Sequence, residues 1–241
     1  MQEFLFSEHW FILLIMAILS YLLGGFSGAV FISKEVKHED IREKGSGNPG
    51  TMNMARTYGF KFGFFTFMVD LLKGAIPTLV GMLVYANYVT AGGVNAGEIV
   101  GYFNGFCVVI GHIYPVLKKF KGGKGIATTF GVLSMGLIYQ SLWFLLMLPV
   151  FYVLLLVWLY FMEYGSVVSL GGISALAVIQ IVLYCAKYNW TVSGAIVILC
   201  ACILLICAID YYAHRENIKR LLAGEEHKTS LKNMLKKKSK K

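Results

Sequence analysis

GHIYPVLKKFKGGKGIATTFG, residues 111–131, is a polar stretch between two apolar runs. It contains His112, four lysines and a Gly-Gly-Lys-Gly turn, and it ends near the hydroxyls of Thr128 and Thr129. Glycines let successive backbone N–H groups point into one concavity, and a lysine adds a mobile positive charge. A helix beginning at Ile126 would add the positive end of its dipole. The stretch therefore predicts a phosphate-binding turn at the start of a helix.

The lysines of this stretch have a second interpretation, because basic loops also orient a protein in a membrane. For Lys118, Lys119 and Lys121 both interpretations stay open. Lys124 is flanked by glycines on both sides, and this position favours anion binding for that residue.

The composition is typical of an integral membrane protein. Of the 241 residues, 57% are hydrophobic and 15% are charged, and the mean hydropathy is +0.67. A soluble domain of this size cannot bury so many apolar side chains. The net charge is +9, but 10 of the 22 basic residues follow Tyr212 and most others lie between apolar runs. This distribution favours anionic lipid head groups as partners, and we expect no nucleic acid.

The five cysteines lie in or beside apolar stretches, without CxxC spacing or nearby histidine partners. We interpret them as thiols buried in the membrane, not as a disulfide framework or a zinc site. Neither a metal nor a cofactor is expected.

The apolar runs predict an all-α integral membrane protein with seven transmembrane helices. The proposed spans are residues 10–32, 62–90, 99–114, two within 126–160, 164–186 and 190–212. The run 126–160 would be ~52 Å long as one helix, so we place a turn near residues 140–143. The basic loop before residue 126 and the lysine-rich tail are both expected in the cytoplasm, so an even number of crossings separates them. Residues 164–186 and 190–212 supply two crossings, so the run 126–160 must supply two more.

This topology places an uncleaved N-terminus outside and the C-terminus in the cytoplasm. Residues 1–212 would form the transmembrane catalytic domain. Residues 213–241 would form a cytoplasmic interfacial helix and a solvated, lysine-rich tail that binds anionic lipid. Within the second span, Asp70 and Lys73 share one helical face, and we expect a structural ion pair there.

Two further polar segments face the cytoplasm in this topology. GSGNPGTMNMARTYG, residues 45–59, formally matches GxGxxG, but no strand precedes it and a proline interrupts it, so we expect no dinucleotide fold. It displays four candidate ligands, namely Ser46, Asn48, Asn53 and Arg56. The guanidinium of Arg56 suits phosphate oxygens.

The other segment, YYAHRENIKRLLAGEE, spans residues 211–226. Helical spacing places His214, Asn217 and Arg220 on one face, although an amphipathic interfacial helix would have the same pattern. Between the fifth and sixth spans, Ser166 and Ser169 either bind an anion or cap the next helix.

Taken together, these segments resemble those of the PlsY family, the bacterial acyl-phosphate-dependent glycerol-3-phosphate acyltransferases. The family pattern runs approximately GSGNPGATNxxR, then GHxxPxxxxFKGGKGxAT, then NIxRLxxGxE, and the likeness in order and hydrophobic layout covers nearly the whole chain. Thr51-Met52 stands where Ala-Thr is commoner, and the lysine-rich tail is not a family hallmark. A segment around Ser169 also resembles a phosphate-contacting stretch of the family.

The resemblance implies transfer of a fatty acyl group from acyl phosphate to the 1-hydroxyl of sn-glycerol 3-phosphate, giving lysophosphatidic acid and phosphate. Such a site must hold two anions close together, which agrees with the cations and glycine turns of the chain. Neither the HxxxxD motif of other glycerolipid acyltransferases nor a GxSxG nucleophile is present. We therefore expect direct attack by the glycerol hydroxyl.

The resemblance also implies roles for individual residues. Glycerol 3-phosphate would contact Ser46, Arg56, Lys124 and Ser169, with Asn48, Asn53 and Arg220 as further substrate-binding residues. Backbone N–H groups of Gly122, Gly123 and Gly125, together with Thr128, would hold the acyl-phosphate head and the developing oxyanion. Asn217 and His214 would complete the pocket. The proton acceptor is either a substrate phosphate or one of His112 and His214.

These expectations place the enzyme in the bacterial cytoplasmic (inner) membrane, with several crossings and its site at the cytoplasmic face. An acyl-phosphate-producing enzyme would hand its product to this one.

Two other classes of function stay open at this point: a transporter for an organic phosphate, and a lipid-binding structural protein. The one-sided clustering of polar residues disfavours the transporter, and the glycine-rich turn disfavours the structural protein.

Overall fold

Helices dominate residues 1–236, which are the part of the chain that the computed structural model describes. The helices are α1 (Phe6–Gly24), α2 (Gly28–Lys37), α3 (Thr51–Tyr58), α4 (Phe60–Val84), α5 (Ala96–Ile113), α6 (Ile126–Gln140), α7 (Phe144–Met162), α8 (Gly165–Lys187), α9 (Gly194–Ala213), α10 (Arg215–Leu222) and α11 (Leu231–Lys236). Two short strands, β1 (Gln2–Glu3) and β2 (Tyr88–Val89), pair in parallel and join the N-terminus to the α4–α5 loop.

Six helical segments in the described part of the chain are long and apolar enough to cross a membrane. They are Phe6–Lys37, Phe60–Val84, Ala96–Lys118, Phe144–Met162, Gly165–Lys187 and Gly194–Ala213. The apolar helix α6 has only 15 residues, about 22 Å. The all-α membrane prediction is thereby confirmed, and the break in the run 126–160 falls at the predicted position. The count of seven crossings and the orientation stay predictions.

The first span is interrupted, whereas the sequence predicted one continuous run. Helix α1 ends at Gly24 and α2 begins at Gly28, where Ser27 caps the new helix by accepting a hydrogen bond from the Val30 N–H at 3.3 Å. The break frees backbone carbonyls that need partners inside the bundle. The ammonium of Lys73 donates to two of them, the carbonyls of Gly24 at 3.2 Å and Phe26 at 2.6 Å.

Two groups of polar contacts lie at opposite ends of the bundle. At one end Lys187 pairs with the buried Glu98 at 2.5 Å, close to the strands and to the α8–α9 loop. At the opposite end Lys124 contacts Asn217, and Ser166 donates to Glu226 at 3.0 Å. Arg56, from residues 45–59, lines the same cavity as Lys124 and Asn217, so the three polar sequence segments meet at one end, which we call the motif end.

Glycines allow α4 and α6 to pack closely. The backbone carbonyl of Thr128 lies against Gly74, and that of Leu71 lies against Gly131, so a Cβ at either glycine would collide with backbone. Small residues permit such close helix contacts within membranes, where packing replaces the hydrophobic effect between helices. This contact sets the beginning of α6 beside α4.

Residues 229–234 are partly buried, whereas the sequence predicted a solvated tail there. Thr229, Leu231 and Met234 are buried, and the Thr229 N–H donates to the carbonyl of Glu163 at 2.5 Å. Leu231 and Met234 pack on Ala55, Leu159 and Val168. The reason is that this short segment carries its own apolar side chains, which the bundle covers. The lysines from residue 237 onward lie outside the described residues.

Candidate active site

One cavity of about 300 Å³ lies at the motif end and is lined by all three polar segments and by the start of α8. Its polar side chains include Ser46, Asn48, Arg56, His112, Lys124, Ser166, Ser169, His214, Asn217 and Glu226. Its apolar side chains come mainly from α4, α6 and α7. The cavity is thus amphipathic, with a cationic part beside an apolar part.

A chain of polar contacts fixes Lys124 in the cavity. Its ammonium donates to the Asn217 side-chain oxygen, and the Asn217 amide donates to Glu226 at 2.7 Å. Glu226 also accepts hydrogen bonds from Ser166 at 3.0 Å and from Arg220 at 3.0 Å. Burial acts to raise the pKa of Glu226, but these hydrogen bonds outweigh it and lower the pKa. The carboxylate is therefore ionised and holds α10 and α8 together.

Lys124 lies in surroundings that disfavour its positive charge. Burial, and secondarily the nearby Arg220, lower its pKa, while Glu226 acts in the opposite direction. A phosphate in the cavity would offset both unfavourable influences, because an adjacent negative charge favours the ammonium form.

Arg56 enters the cavity from the last turn of α3, two residues before that helix ends at Tyr58. One of its terminal nitrogens donates to the hydroxyl of Thr229. Burial lowers the pKa of Arg56, yet a guanidinium stays charged in proteins. Arg56 and Lys124 thus supply two cations from two different sequence segments.

His112 is held from behind by Lys73 and Thr128. Its Nδ1 lies 2.6 Å from the Lys73 ammonium and 3.3 Å from the Thr128 hydroxyl, and Lys73 pairs with Asp70 at 2.9 Å. A lysine ammonium only donates, so Nδ1 is the acceptor and the ring proton is on Nε2. The Nε2–H of His112 is therefore the donor of the ring, and Lys73 of the predicted Asp70–Lys73 ion pair holds the ring through Nδ1.

His214 carries its proton on the other ring nitrogen. Its Nδ1 lies 2.8 Å from the backbone carbonyl of Asp210, so Nδ1 carries the proton and Nε2 is left as the acceptor. Burial lowers the pKa of His214 to about 4, against a favourable contribution from the Asp210 carbonyl. His214 is consequently neutral at pH 7 and a weak base.

The beginning of α6 lines the cavity with backbone that is suited to an anion. Gly125 precedes the helix with φ +89°, a left-handed conformation that suits glycine, and a Cβ there would collide with the buried carboxyl of Asp210. The first N–H groups of a helix have no intrahelical partner, and those of Ile126 and Ala127 belong to residues that line the cavity. The predicted start of the helix at Ile126 is confirmed.

Several residues expected to bind substrate serve instead to build the site. The N–H groups of Gly122 and Gly123 donate to the carbonyls of Ile113 and His112, both at 3.1 Å, so they are not free for an anion. A Cβ at Gly123 would collide with the His112 ring, which explains the need for glycine. Thr128 is buried behind that ring.

Asn53 and Arg220 are also supporting residues. The Asn53 side chain accepts from the Ser46 N–H at 3.0 Å and donates to the carbonyls of Ile41 and Lys44, so both of its N–H donors are used within the loop, while Asn53 also lines the cavity. Arg220 pairs with Glu226 at the edge of the site.

The other lysines of residues 111–131 do not line the cavity. Lys118 donates to the carbonyl of Gly25 at 2.9 Å, and Lys119 and Lys121 are exposed. The distinction that the glycines suggested for Lys124 is consistent with this placement.

Three residues that line or support the site were named in the sequence interpretation but not assigned to the site: Lys73, Ser166 and Glu226. A charge within an apolar span was the signal available for Lys73, since intramembrane charges are costly and commonly functional. Ser166 was weighed but could not be separated from a helix cap. The family pattern NIxRLxxGxE includes Glu226, but its hydrogen bonds to Ser166, Asn217 and Arg220 are visible only in the structure.

Within residues 1–236, no group of three or more histidine, cysteine or acidic side chains is placed to hold a metal ion. The cavity's chemistry is that of cations, amides and hydroxyls, which are ligands for phosphate oxygens.

Comparison with known proteins agrees with this geometry. The family model described as glycerol-3-phosphate acyltransferase matches residues 14–224. The chain belongs to the glycerol-3-phosphate acyltransferase family. The glycerol-3-phosphate acyltransferase of Finegoldia magna is 41% identical over 90% of this chain and 96% of its own length. That of Aquifex aeolicus is 36% identical over 89% of this chain and 98% of its own.

Solved structures of the family share the fold. A crystal structure of PlsY, an integral membrane glycerol 3-phosphate acyltransferase in its glycerol 3-phosphate form, matches with a TM-score of 0.72 at 32% identity. The alignment covers 92% of this chain and 98% of that one. A second crystal structure holds PlsY in its lysophosphatidic acid form, with a TM-score of 0.70 at 31% identity. This glycerol-3-phosphate acyltransferase is therefore a multi-pass integral membrane enzyme.

Proposed function

We propose that this glycerol-3-phosphate acyltransferase uses acyl phosphate as its donor, acylates the 1-hydroxyl of its substrate, and releases lysophosphatidic acid and phosphate. The observation that carries the proposal is the convergence of Arg56, Lys124 and the beginning of α6 on one amphipathic cavity. Three separate positive groups suit two phosphate-bearing substrates, and the apolar part suits a fatty acyl chain.

The donor is an activated mixed anhydride, so the reaction needs no enzyme nucleophile. The 1-hydroxyl oxygen forms a bond to the acyl carbon, and the bond from that carbon to the phosphate oxygen breaks. The leaving phosphate keeps the electron pair. The site contributes by positioning the two substrates and stabilising the developing negative charge.

Residue roles follow from the contacts. Lys124, Arg56, Ser46 and Ser169 would hold glycerol 3-phosphate, while Asn48 lines the same part of the cavity. The Nε2–H of His112 and the first N–H groups of α6, next to Gly125, would stabilise the oxyanion. Asn217 would keep Lys124 in place, as its contact with the ammonium indicates.

A substrate phosphate is the proton acceptor that the geometry favours. The Nδ1 of His112 is already occupied by Lys73, and His214 has a pKa of about 4. A phosphate monoester has a second pKa of about 6 and is the stronger base. The proton of the 1-hydroxyl would therefore go to phosphate.

The location in the cell is inferred from the distribution of basic residues among the loops. We infer seven crossings, with α6 as the shortest, and a motif end that faces the cytoplasm of a bacterial inner membrane, because basic loops concentrate there. Acyl phosphate would then arrive from a cytoplasmic or peripheral enzyme that produces it.

The test uses detergent-purified protein and radiolabelled sn-glycerol 3-phosphate, with palmitoyl phosphate, palmitoyl-CoA or palmitoyl-carrier protein as the donor. We expect lysophosphatidic acid with palmitoyl phosphate alone. Product with the thioesters but not with palmitoyl phosphate would overturn the donor assignment. Uptake of label into sealed vesicles without any acylated product would instead favour transport.

A further inference from the structure

Three residues that follow the family match line the cavity, namely Glu226, Leu231 and Met234. The match ends at residue 224, yet Leu231 and Met234 line the cavity beside α4 and α7. We call residues 229–234 the C-terminal segment.

Two polar contacts anchor the C-terminal segment to the motif end. The buried Thr229 accepts a hydrogen bond from Arg56 through its hydroxyl, and its N–H donates to the carbonyl of Glu163. Glu226, just before the segment, is tied to α8 and α10 through Ser166 and Asn217. The segment is therefore fixed on the same side as the proposed phosphate ligands.

The short helix α11 turns one face inward. Leu231 and Met234 are 9% and 4% exposed, whereas Lys232 and Asn233 between them are exposed. Residues three apart lie on one side of a helix, so the two apolar side chains act together. They pack against Ala55, Leu159 and Val168, with Phe60 and Leu155 nearby.

The neighbouring part of the cavity is open along the apolar side. Phe64 of α4 and Leu156 of α7 both line it, and they remain 49% and 43% exposed on the outer surface of the bundle. An acyl chain held there would run between α4 and α7 towards the lipid. The C-terminal segment covers the end of this groove nearest Arg56.

We propose that Leu231 and Met234 form one wall of the groove for the acyl chain and thereby set the enzyme's affinity for its long-chain donor. The proposal rests on the proposed function, because it assumes that the groove holds the acyl group. Apolar contact scales with buried methylene groups, so shortening both side chains weakens binding of a long chain. The glycerol 3-phosphate contacts lie on other residues.

The test compares Leu231→Ala/Met234→Ala with Lys232→Ala, an exposed control on the same helix. With palmitoyl phosphate we expect KM to rise about tenfold in the double variant. The KM for glycerol 3-phosphate and the kcat/KM with butyryl phosphate should change less than twofold. The control should match the wild type throughout. An equal loss with both donors would show a structural role and overturn the proposal.

A second measurement does not depend on turnover. Binding of palmitoyl lysophosphatidic acid to the purified protein should weaken about tenfold in the double variant, while binding of glycerol 3-phosphate stays unchanged. A chain ending after Ser230, which keeps Thr229 and its contact with Arg56, should behave in the same way. Unchanged lysophosphatidic acid binding, or tighter binding on truncation, would overturn the inference. Failure of the wild type to use palmitoyl phosphate would contradict the donor proposal but leave this binding test valid.

Discussion

Lys124 is the charged residue whose removal we expect to impair the site most. It reaches the cavity from the glycine turn, contacts Asn217 and lies beside the beginning of α6. We expect Lys124→Ala to lower kcat/KM for glycerol 3-phosphate at least ~100-fold, because the ammonium stabilises charge that develops in the transition state. Steady-state kinetics in detergent would measure the loss.

The matched control for that experiment is Lys121→Ala, which removes an exposed charge three residues earlier in the same loop. It should change kcat/KM less than threefold, since exposed charges interact weakly through solvent. A loss below tenfold in a folded Lys124→Ala protein would remove Lys124 from the catalytic set.

The pH dependence distinguishes the proton acceptors at the residue scale. His214, with a pKa of about 4, stays neutral down to that pH, whereas the phosphate of the substrate titrates near pH 6. We expect kcat/KM to fall as pH drops below about 6, in the wild type and in His214→Gln alike. Disappearance of the acidic limb in His214→Gln would make His214 the base.

The same histidine predicts a stability effect. Below pH 6.5 the unfolded chain takes up a proton that the buried ring does not accept until about pH 4. The free energy of unfolding should therefore fall as pH drops through this interval, and His214→Gln should reduce that pH dependence. Thermal unfolding in detergent at pH 7 and pH 5 would measure it; identical pH dependence in both proteins would contradict the assignment.

At the scale of elements, the close contact of α4 with α6 positions the anion site. A Cβ at Gly131 would collide with the Leu71 carbonyl, so we expect Gly131→Ala to destabilise the protein by about 1–3 kcal/mol. Gly194→Ala is the control, because nothing lies within 4 Å of the added Cβ. Equal Tm values for the two variants would show that the helices can separate without cost.

At the scale of the whole molecule, the orientation of the bundle is open to direct measurement. Ala91 and Lys121 are exposed at opposite ends. In a background without native cysteines, a membrane-impermeant thiol reagent on intact cells should label Ala91→Cys and not Lys121→Cys. Permeabilised cells should label both. The reverse pattern would place the active site outside the cytoplasm and contradict the positive-inside assignment.

Periodicity, hydropathy and turn chemistry predicted most of the elements because they are local properties. The start of α6 at Ile126 follows from its glycines, and the break near residue 141 follows from helix length against membrane thickness. The interruption between α1 and α2 was not predictable in this way. It depends on Lys73, which is 47 residues away from Phe26 along the chain and donates to its carbonyl.

By itself, then, the sequence determined the class of protein, the family and the three polar segments of the site, since these depend on composition, spacing and motif. Only the tertiary structure decided which of those residues face the cavity. Thr128 has the right chemistry for a substrate but lies outside the cavity lining, beside His112, and Asn53 lines the cavity with both of its N–H donors used by the loop. Leu231 and Met234 looked like part of a solvated tail. The physical reason is that hydrogen-bond partners and burial come from packing between distant segments, which local patterns do not contain.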